Sequence, residues 1–294
     1  MTRRASPRPT FEEATAIPYD QAVLHLWGDT EAGYVGDRIY ASSDLIHLIE
    51  FSLPPRARFT HSDANRTVFA ADEVLHVVEG EMMLANPETG EVEVARTGES
   101  VFFRRDTWHH AINRSPDRPL RVMELFAPPP STGASSTYAR TRPYLTEWSY
   151  ADDRLLGGWP MSRAERDRER CFHLVGSHNL AWRMDDPSDD LLVGLIASTE
   201  HLTAGRASLL PGQRSLVRRH GGDLVMVVLS GEIAVFVPEK VEPPSWFQLG
   251  VGDGFYAPVG TRYQCFAHGS ESAEILFGVA PSYLPEPASD IAGG

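Results

Sequence analysis

The stretch Arg105–Asn113, RDTWHHAIN, sets two histidines side by side in a segment of strand composition. Neighbours on a strand point to opposite faces, so only one of His109 and His110 can look into a barrel interior. An inward imidazole there serves as a metal ligand or a general base. The plain alternative is a core histidine donating to a backbone carbonyl. Glu73 heads the apolar run EVLHVVEGEMML, where an unpaired carboxylate is costly to bury. At the strand's wet end it would instead pair with Arg66, Arg104 or Arg105. His76 and His110 have the opposite strand phase from Glu73 and His109, and are expected outside any pocket those two share, as surface or interface histidines. His61 closes an Arg-x-Arg-x-x-His string, and Asp63 lies in Ser-Asp-Ala-Asn, which is also ordinary turn chemistry. Trp108 offers a flat wall to an aromatic substrate or packs as a core ring. Cys265 has no activating base nearby in sequence and reads as a small buried apolar residue.

The elements that must position these residues are short. Apolar and polar residues alternate in runs broken by Gly, Pro, Asp and Asn, the pattern of an all-β chain. Such runs are LIHLIEFSL (45–53, with Ile46, Leu48, Glu50 and Ser52 on one face), 73–84, 99–103, 192–198, 223–237, 253–258 and 273–280. One segment, MSRAERDRER (161–170), reads as a helix, and its charge predicts a solvated helix between domains.

The chain repeats itself in order. FSLPPRARFTH echoes SLLPGQRSLVRRH; EVLHVVEGEMML echoes LVMVVLSGEIAV; TGESVFFRRDTWHHAIN echoes VGDGFYAPVGTRYQCFA. The organisation this predicts is an N-terminal arm (1–39), a first β-domain (40–126), a linker with a short helix (127–174), a second β-domain (175–284) and a tail (285–294). The Pro-, Ser- and Thr-rich stretch 127–144 carries the linker character.

Of the 294 residues, 27 are basic and 40 acidic, a formal charge of −13 that argues against nucleic-acid or anionic-membrane partners. No apolar run is long enough to span a bilayer, and the basic start is not followed by one of secretory length. With two cysteines, Cys171 and Cys265, there is no disulfide framework, and a cytoplasmic location is the expectation. Phosphate-cradling Gly-rich loops, a GxSxG elbow and zinc-ribbon spacing are absent.

The repeats resemble the two-motif pattern of the cupin superfamily, G-x5-H-x-H-x(3–4)-E-x6-G followed by G-x5-P-x-G-x2-H-x3-N. The resemblance covers roughly 40–126 and 175–283. It implies a bicupin, two double-stranded β-helix (jelly-roll) barrels in tandem, and in metal-binding members the two motif-1 histidines, the glutamate and the motif-2 histidine hold one ion. In the second half the spacing is intact, but the ligand positions hold Arg218, His220, Leu224 and Tyr263. A guanidinium has no lone pair to give and leucine cannot ligate, so no metal is expected there. Arg218, His220 and Tyr263 share the inward phase, either gripping an anionic ligand or satisfying one another. In the first half motif 2 reads Gly98, Arg104, Asp106, His109 and Asn113, and TWHHAIN is similar to the corresponding segment of gentisate-type ring-cleaving dioxygenases. Motif 1 ends with Glu73 and Gly80. Upstream two registers are open. Without an insertion the histidine positions fall on Thr67 and Phe69, or on Arg66 and Val68; with an inserted loop they fall on His61 and Asp63.

The second register implies a centre of His61, Glu73 and His109 with Asp63 as alternate ligand or base. Fe(II) is its expected ion, and Mn, Ni or Zn would suit similar ligands. The expected function is that of a non-haem iron(II) dioxygenase acting on a small aromatic or enolisable acid. Arg104 would act at the site, with Arg105, Trp108 and Asn113 towards the substrate carboxylate or ring. The alternatives are a metal-independent isomerase, dehydratase or cyclase using Glu73 and His109 as acid and base, and a non-catalytic ligand-binding bicupin. The expected partners are a small-molecule substrate and a second copy of the chain in a homodimer.

Overall fold

The computed structural model describes residues 6–128, 138–150, 153, 156–184, 186–240 and 244–284. The chain divides into two units, residues 1–10 with 21–181, and residues 11–20 with 182–294. The tail 285–294 and much of the 127–144 stretch lie outside the described residues.

In the first unit β2 (Val23–Asp29), β3 (Gly33–Ser42), β4 (His47–Leu53), β5 (Asp72–Glu79), β8 (Ser100–Phe103), β10 (Leu120–Ala127) and β11 (His173–Val175) form a seven-stranded sheet in the order β11-β8-β5-β10-β4-β3-β2. A second sheet, β7-β6-β9, is built from β6 (Glu81–Ala85), β7 (Val92–Arg96) and β9 (His110–Asn113). Strand alternation sends Phe51, Leu53, Leu75, Val77 and Val122 from the large sheet into one core with Met82 and Leu84 of the small one.

The second unit repeats this plan strand for strand. Its large sheet runs β1-β18-β15-β20-β14-β13-β12 and its small sheet β17-β16-β19. The strands are β1 (Thr15–Ile17), β12 (Ala181–Arg183), β13 (Leu192–Ser198), β14 (Thr203–Leu209), β15 (Asp223–Ser230), β16 (Ile233–Phe236), β17 (Trp246–Leu249), β18 (Gly254–Ala257), β19 (Gln264–Ala267) and β20 (Ala273–Ala280). The internal repeat is visible at one residue in particular. Gly80 and Gly231 turn the chain between the two sheets of their barrels at φ of +95° and +69°, and a Cβ there would meet the carbonyl oxygens of Pro119 and Ser272 at 2.9 and 2.6 Å. No side chain fits either position.

Two expected boundaries are corrected. Residues 1–39 are not an arm: β1 pairs with β18 at one edge of the second large sheet, and β2 and β3 close the first. Residues 127–174 are not simply a linker, since β11 pairs with β8. The first barrel thus takes β2, most of β3 and β11 from outside its repeat, and the second takes β1. The three-residue strands β1 and β11 are too short to show a period, and only pairing reveals them. The helix α1 (Met161–Glu169) belongs to the first unit; Ser162 is its one buried residue, in keeping with its charged composition. Glu91 fastens the following segment by accepting from the amides of Cys171 and Phe172 at 2.6 and 2.9 Å. No described helix is long and apolar enough to cross a membrane.

Candidate metal and substrate centre

Residues that face inward on the first large sheet fall into rows set by strand register. One row runs His47–Phe126–Glu73–Phe103 across β4, β10, β5 and β8, and the next runs Ile39–Ile49–Glu124–Leu75–Val101 from β3 to β8. A third carries Asp37, Phe51, Val122 and Val77. Glu73 and Glu124 are therefore diagonal neighbours on one face of adjacent strands. His109, immediately before β9, comes in from the opposing sheet. Its backbone N–H donates to the Thr67 carbonyl at 3.1 Å, and its ring packs against Phe59, Phe69 and Phe103.

Glu73, Glu124 and His109 bring one ligand atom each within 4.8 Å of one another, and all three are buried. The His109 Nδ1–H donates to the Thr107 carbonyl at 3.3 Å, which leaves Nε2 a bare lone pair 3.8 Å from Glu73 Oε2. Burial pushes His109 down to about 4, so the imidazole is neutral. Burial also raises Glu73 well above the carboxylate range, and Glu124 beside it adds to the effect; Glu124 is pushed up to about 8 by burial and then by Asp37. Asp37 itself rises to about 8 on desolvation alone. The charges acting on the pair are other carboxyls, Asp72 and Asp37. Glu73 Oε2 is buried without a hydrogen-bond partner.

His109, Glu124 and Asp37 border a cavity of about 100 Å³, with Glu73 behind its wall; His47 and Thr67 also line it, with aromatic walls from Trp27, Phe51, Phe59, Phe69 and Phe126. That is smaller than the ~150 Å³ apolar cavity that admits benzene, so one ring is the upper limit for an enclosed ligand.

Residues 69–126 match the family of cupin domains. Among solved structures, the chain is similar to a protein from Pseudomonas aeruginosa described as glyoxylate-induced (14% identity, 95% of this chain and 92% of that one, TM-score 0.64). It is also similar to the oxalate decarboxylase of Lactobacillus farciminis in its formate complex (12%, 95% and 89%, 0.59), and to a Cupin 2 conserved barrel domain protein from Leptotrichia buccalis (13%, 92% and 98%, 0.51). The chain folds as a bicupin. No curated protein matches it in sequence.

Comparing the two barrels of this bicupin fixes the register that the motif left open. In the second barrel Arg218 and Tyr263 exchange backbone hydrogen bonds, and the His220 carbonyl accepts from Gly260 N–H at 3.1 Å. In the first, the Thr67 carbonyl accepts from His109 and the Phe69 carbonyl from Asp106 at 2.7 Å. Thr67, Phe69, Glu73 and His109 therefore stand where Arg218, His220, Leu224 and Tyr263 stand, and the register without an inserted loop is the one the backbone adopts. Two of the four ligand positions are a threonine and a phenylalanine.

His61 and Asp63 accordingly do not join Glu73 and His109. The His61 Nε2–H donates to the Leu145 carbonyl at 2.8 Å, so its Nδ1 accepts from His110 Nε2–H at 2.8 Å, and His110 Nδ1 accepts in turn from the Tyr150 hydroxyl. His110, expected at the surface, is fully buried in this chain of neutral rings, held down to about 2 first by burial. His76 is likewise buried, bonded to Ser100. The Asp63 side chain is 80% exposed and pairs with Arg66. Trp108 packs on His61, outside the cavity lining. Arg104 and Arg105 point to Asp72 and Asp106 at the rim of the turn, and neither lines the cavity. Asn113 is structural: its amide donates to the carbonyls of Leu53, Pro54 and Arg118, and its oxygen accepts from Ser115.

In the second barrel the polar groups satisfy one another. Arg218 donates to Asp189 at 2.6 Å and to the Tyr283 hydroxyl at 3.0 Å, and His220 bonds the Tyr263 hydroxyl at 2.8 Å and the Tyr283 carbonyl at 2.6 Å. The space left beside them is about 20 Å³, enough for one water. Burial pushes the Cys265 thiol up to about 12, which keeps it unreactive.

Glu124, Asp37 and His47 were not singled out by motif spacing. A signal for Glu124 existed: LRVMELFA places one carboxylate in mid-strand among apolar residues, where burial without purpose is costly.

Proposed function

We propose that the first barrel is the active site of a small-molecule enzyme in which Glu73, Glu124 and His109 hold one divalent transition metal. The observation that carries this reading is a buried carboxyl pair with an unpartnered oxygen facing a bare imidazole lone pair. Two carboxylates and one imidazole suit Fe(II), Mn, Ni or Zn. The reaction class we propose is iron(II)-dependent dioxygenation of a small aromatic or enolisable acid, the ion supplying open positions for a chelating substrate and dioxygen. The chain's own contribution is to hold three ligands on rigid strands, to fix the His109 tautomer through the Thr107 carbonyl, and to exclude water with a phenylalanine shell. Ligation requires both glutamates to ionise, so metal uptake releases protons. A fold neighbour that is an oxalate decarboxylase gives precedent for small-acid chemistry on this architecture.

Metal analysis of protein purified without chelators tests the reading. The expected result is close to one equivalent of a transition metal, and less than about a tenth of an equivalent with no activity gained on iron reconstitution would overturn it.

A second reading has its own observation. Thr67 and Phe69 replace two ligand positions, and two buried carboxyls this close favour keeping their protons. Glu73 and His109 would then act as acid and base without metal, in an isomerisation, dehydration or cyclisation. Activity that survives a strong chelator but is lost in Glu73→Gln selects it.

A further inference from the structure

The first-barrel cavity is electrically lopsided. Its carboxyls, Glu124 and Asp37, lie on the second and third inward rows of the sheet, while His47 lies on the row at the other side of Glu124. Arg8 is the one lysine or arginine among the described residues that line the cavity. It is held rigidly: Nε donates to Ser42 Oγ at 3.2 Å, and Nη2 donates to the Ser43 carbonyl at 2.6 Å and to Asp44 at 3.1 Å. The Asp44 carboxylate is 95% exposed, so this surface pair neutralises Arg8 weakly. Nη1, with two N–H donors, takes no part in those bonds.

His47 is the second half of this end. It is buried, packs on Phe126, and its Nδ1 has no hydrogen-bond partner. Such a group costs free energy unless a ligand answers it. Thr67 Oγ1, also in the lining, is in the same condition. Arg8 is near enough to depress the imidazole further after burial has done so. A carboxylate, with two acceptor oxygens and a charge opposite to that of Arg8, can accept from both Arg8 and a His47 N–H. Protonated Asp37 and Glu124 offer such a group no charge, whereas the Arg8 guanidinium draws it to this end.

We propose that Arg8 and His47 form a carboxylate-reading end of the first-barrel cavity, so that the ligand is a small monocarboxylic acid of at most one ring. Its carboxylate lies against Arg8 and His47, its apolar body between the phenylalanines, and its opposite edge towards Glu73, Glu124 and His109. The inference deepens the proposed function and rests on that reading only for the placing of the far edge.

Calorimetric titration of the full-length protein with benzoate and pyruvate, each beside an uncharged partner (benzamide, hydroxyacetone), tests it. Benzoate or pyruvate should bind at least about tenfold more tightly than its uncharged partner, a charged hydrogen bond being of that worth. Arg8→Gln should remove that preference; Arg8→Lys, which keeps charge but not the fork, should restore part of it; His47→Gln should weaken the acid while sparing the amide. Melting temperature and metal content measured on each variant show whether fold and centre are intact. Equal binding of acid and uncharged partner, unchanged acid binding in Arg8→Gln, or no binding of either acid up to about 10 mM overturns the proposal. Acid binding abolished by Glu124→Gln but untouched by Arg8→Gln would place the carboxylate at the metal, overturning this inference and not the centre. Acid binding through Arg8 in protein that takes up no metal would do the reverse.

Discussion

Glu73 and Glu124 can be replaced without the penalty usual for buried charges, because burial already keeps them protonated when no cation is present. Glu124→Gln exchanges a neutral acid for an amide of the same shape, and so should leave the metal-free protein within about 1 kcal/mol of wild type by calorimetry. The same change deletes a proposed ligand. Metal affinity should fall by well over the 10–100-fold seen for supporting residues, measured by competition with a chromophoric chelator. A large stability loss with unchanged metal affinity would show that Glu124 is structural. At this scale the sequence was only partly informative: Glu73 and His109 follow from motif spacing, whereas Glu124 and His47 depend on which strands lie side by side.

Among elements, the strand order does the positioning. β10 lies between β5 and β4, which is why a carboxylate on β10 meets one on β5 and an imidazole on β4. The Asn113 side chain locks the end of β9 to the β4 exit and to the turn before β10 through three carbonyls. Asn113→Ala leaves those acceptors unanswered and should cost about 2–3 kcal/mol in urea unfolding, with benzoate or metal affinity changed less than about twofold in the surviving native protein. Loss of binding with stability intact would return Asn113 to the site. The repeat, the turn glycines and the strands β4, β5, β6, β8, β13, β15, β16, β18 and β20 could be read from the sequence. The edge strands β1 and β11 could not, since three residues show no period and their partners are far away in sequence.

For the whole molecule, the pH dependence of stability follows from which groups are buried. Asp37 and Glu124, both pushed up to about 8, keep their protons in the native state between about pH 4.5 and 8, where the unfolded chain has lost them. Metal-free protein should therefore lose stability as pH rises through 6.5 to 8. His109 and His47, pushed down to about 4 and about 3, act in the opposite sense below 6.5, where the unfolded chain takes up protons that the native state refuses. Melting temperature against pH should then be flat near 5–6.5 and fall towards 8, and a bound divalent metal should reduce the alkaline fall by requiring an ionised Glu124, leaving the part due to Asp37. A melting temperature that climbs from 6.5 to 8 in the metal-free protein would contradict the protonated carboxyls.

From the sequence alone came the all-β class, the tandem repeat, the arginine and leucine at two motif ligand positions of the second barrel, and the placing of Glu73 and His109 at the motif positions of the first. All of these are local: period-two alternation, turn glycines and fixed spacing. The tertiary structure alone decided the rest. It chose the register that puts Thr67 and Phe69, and not His61 and Asp63, beside Glu73. It buried His110 in a separate chain of rings, and it set Glu124 beside Glu73 and His109. Those outcomes depend on backbone pairing between segments distant in sequence, and a single strand's pattern carries no information about the strand it will lie beside.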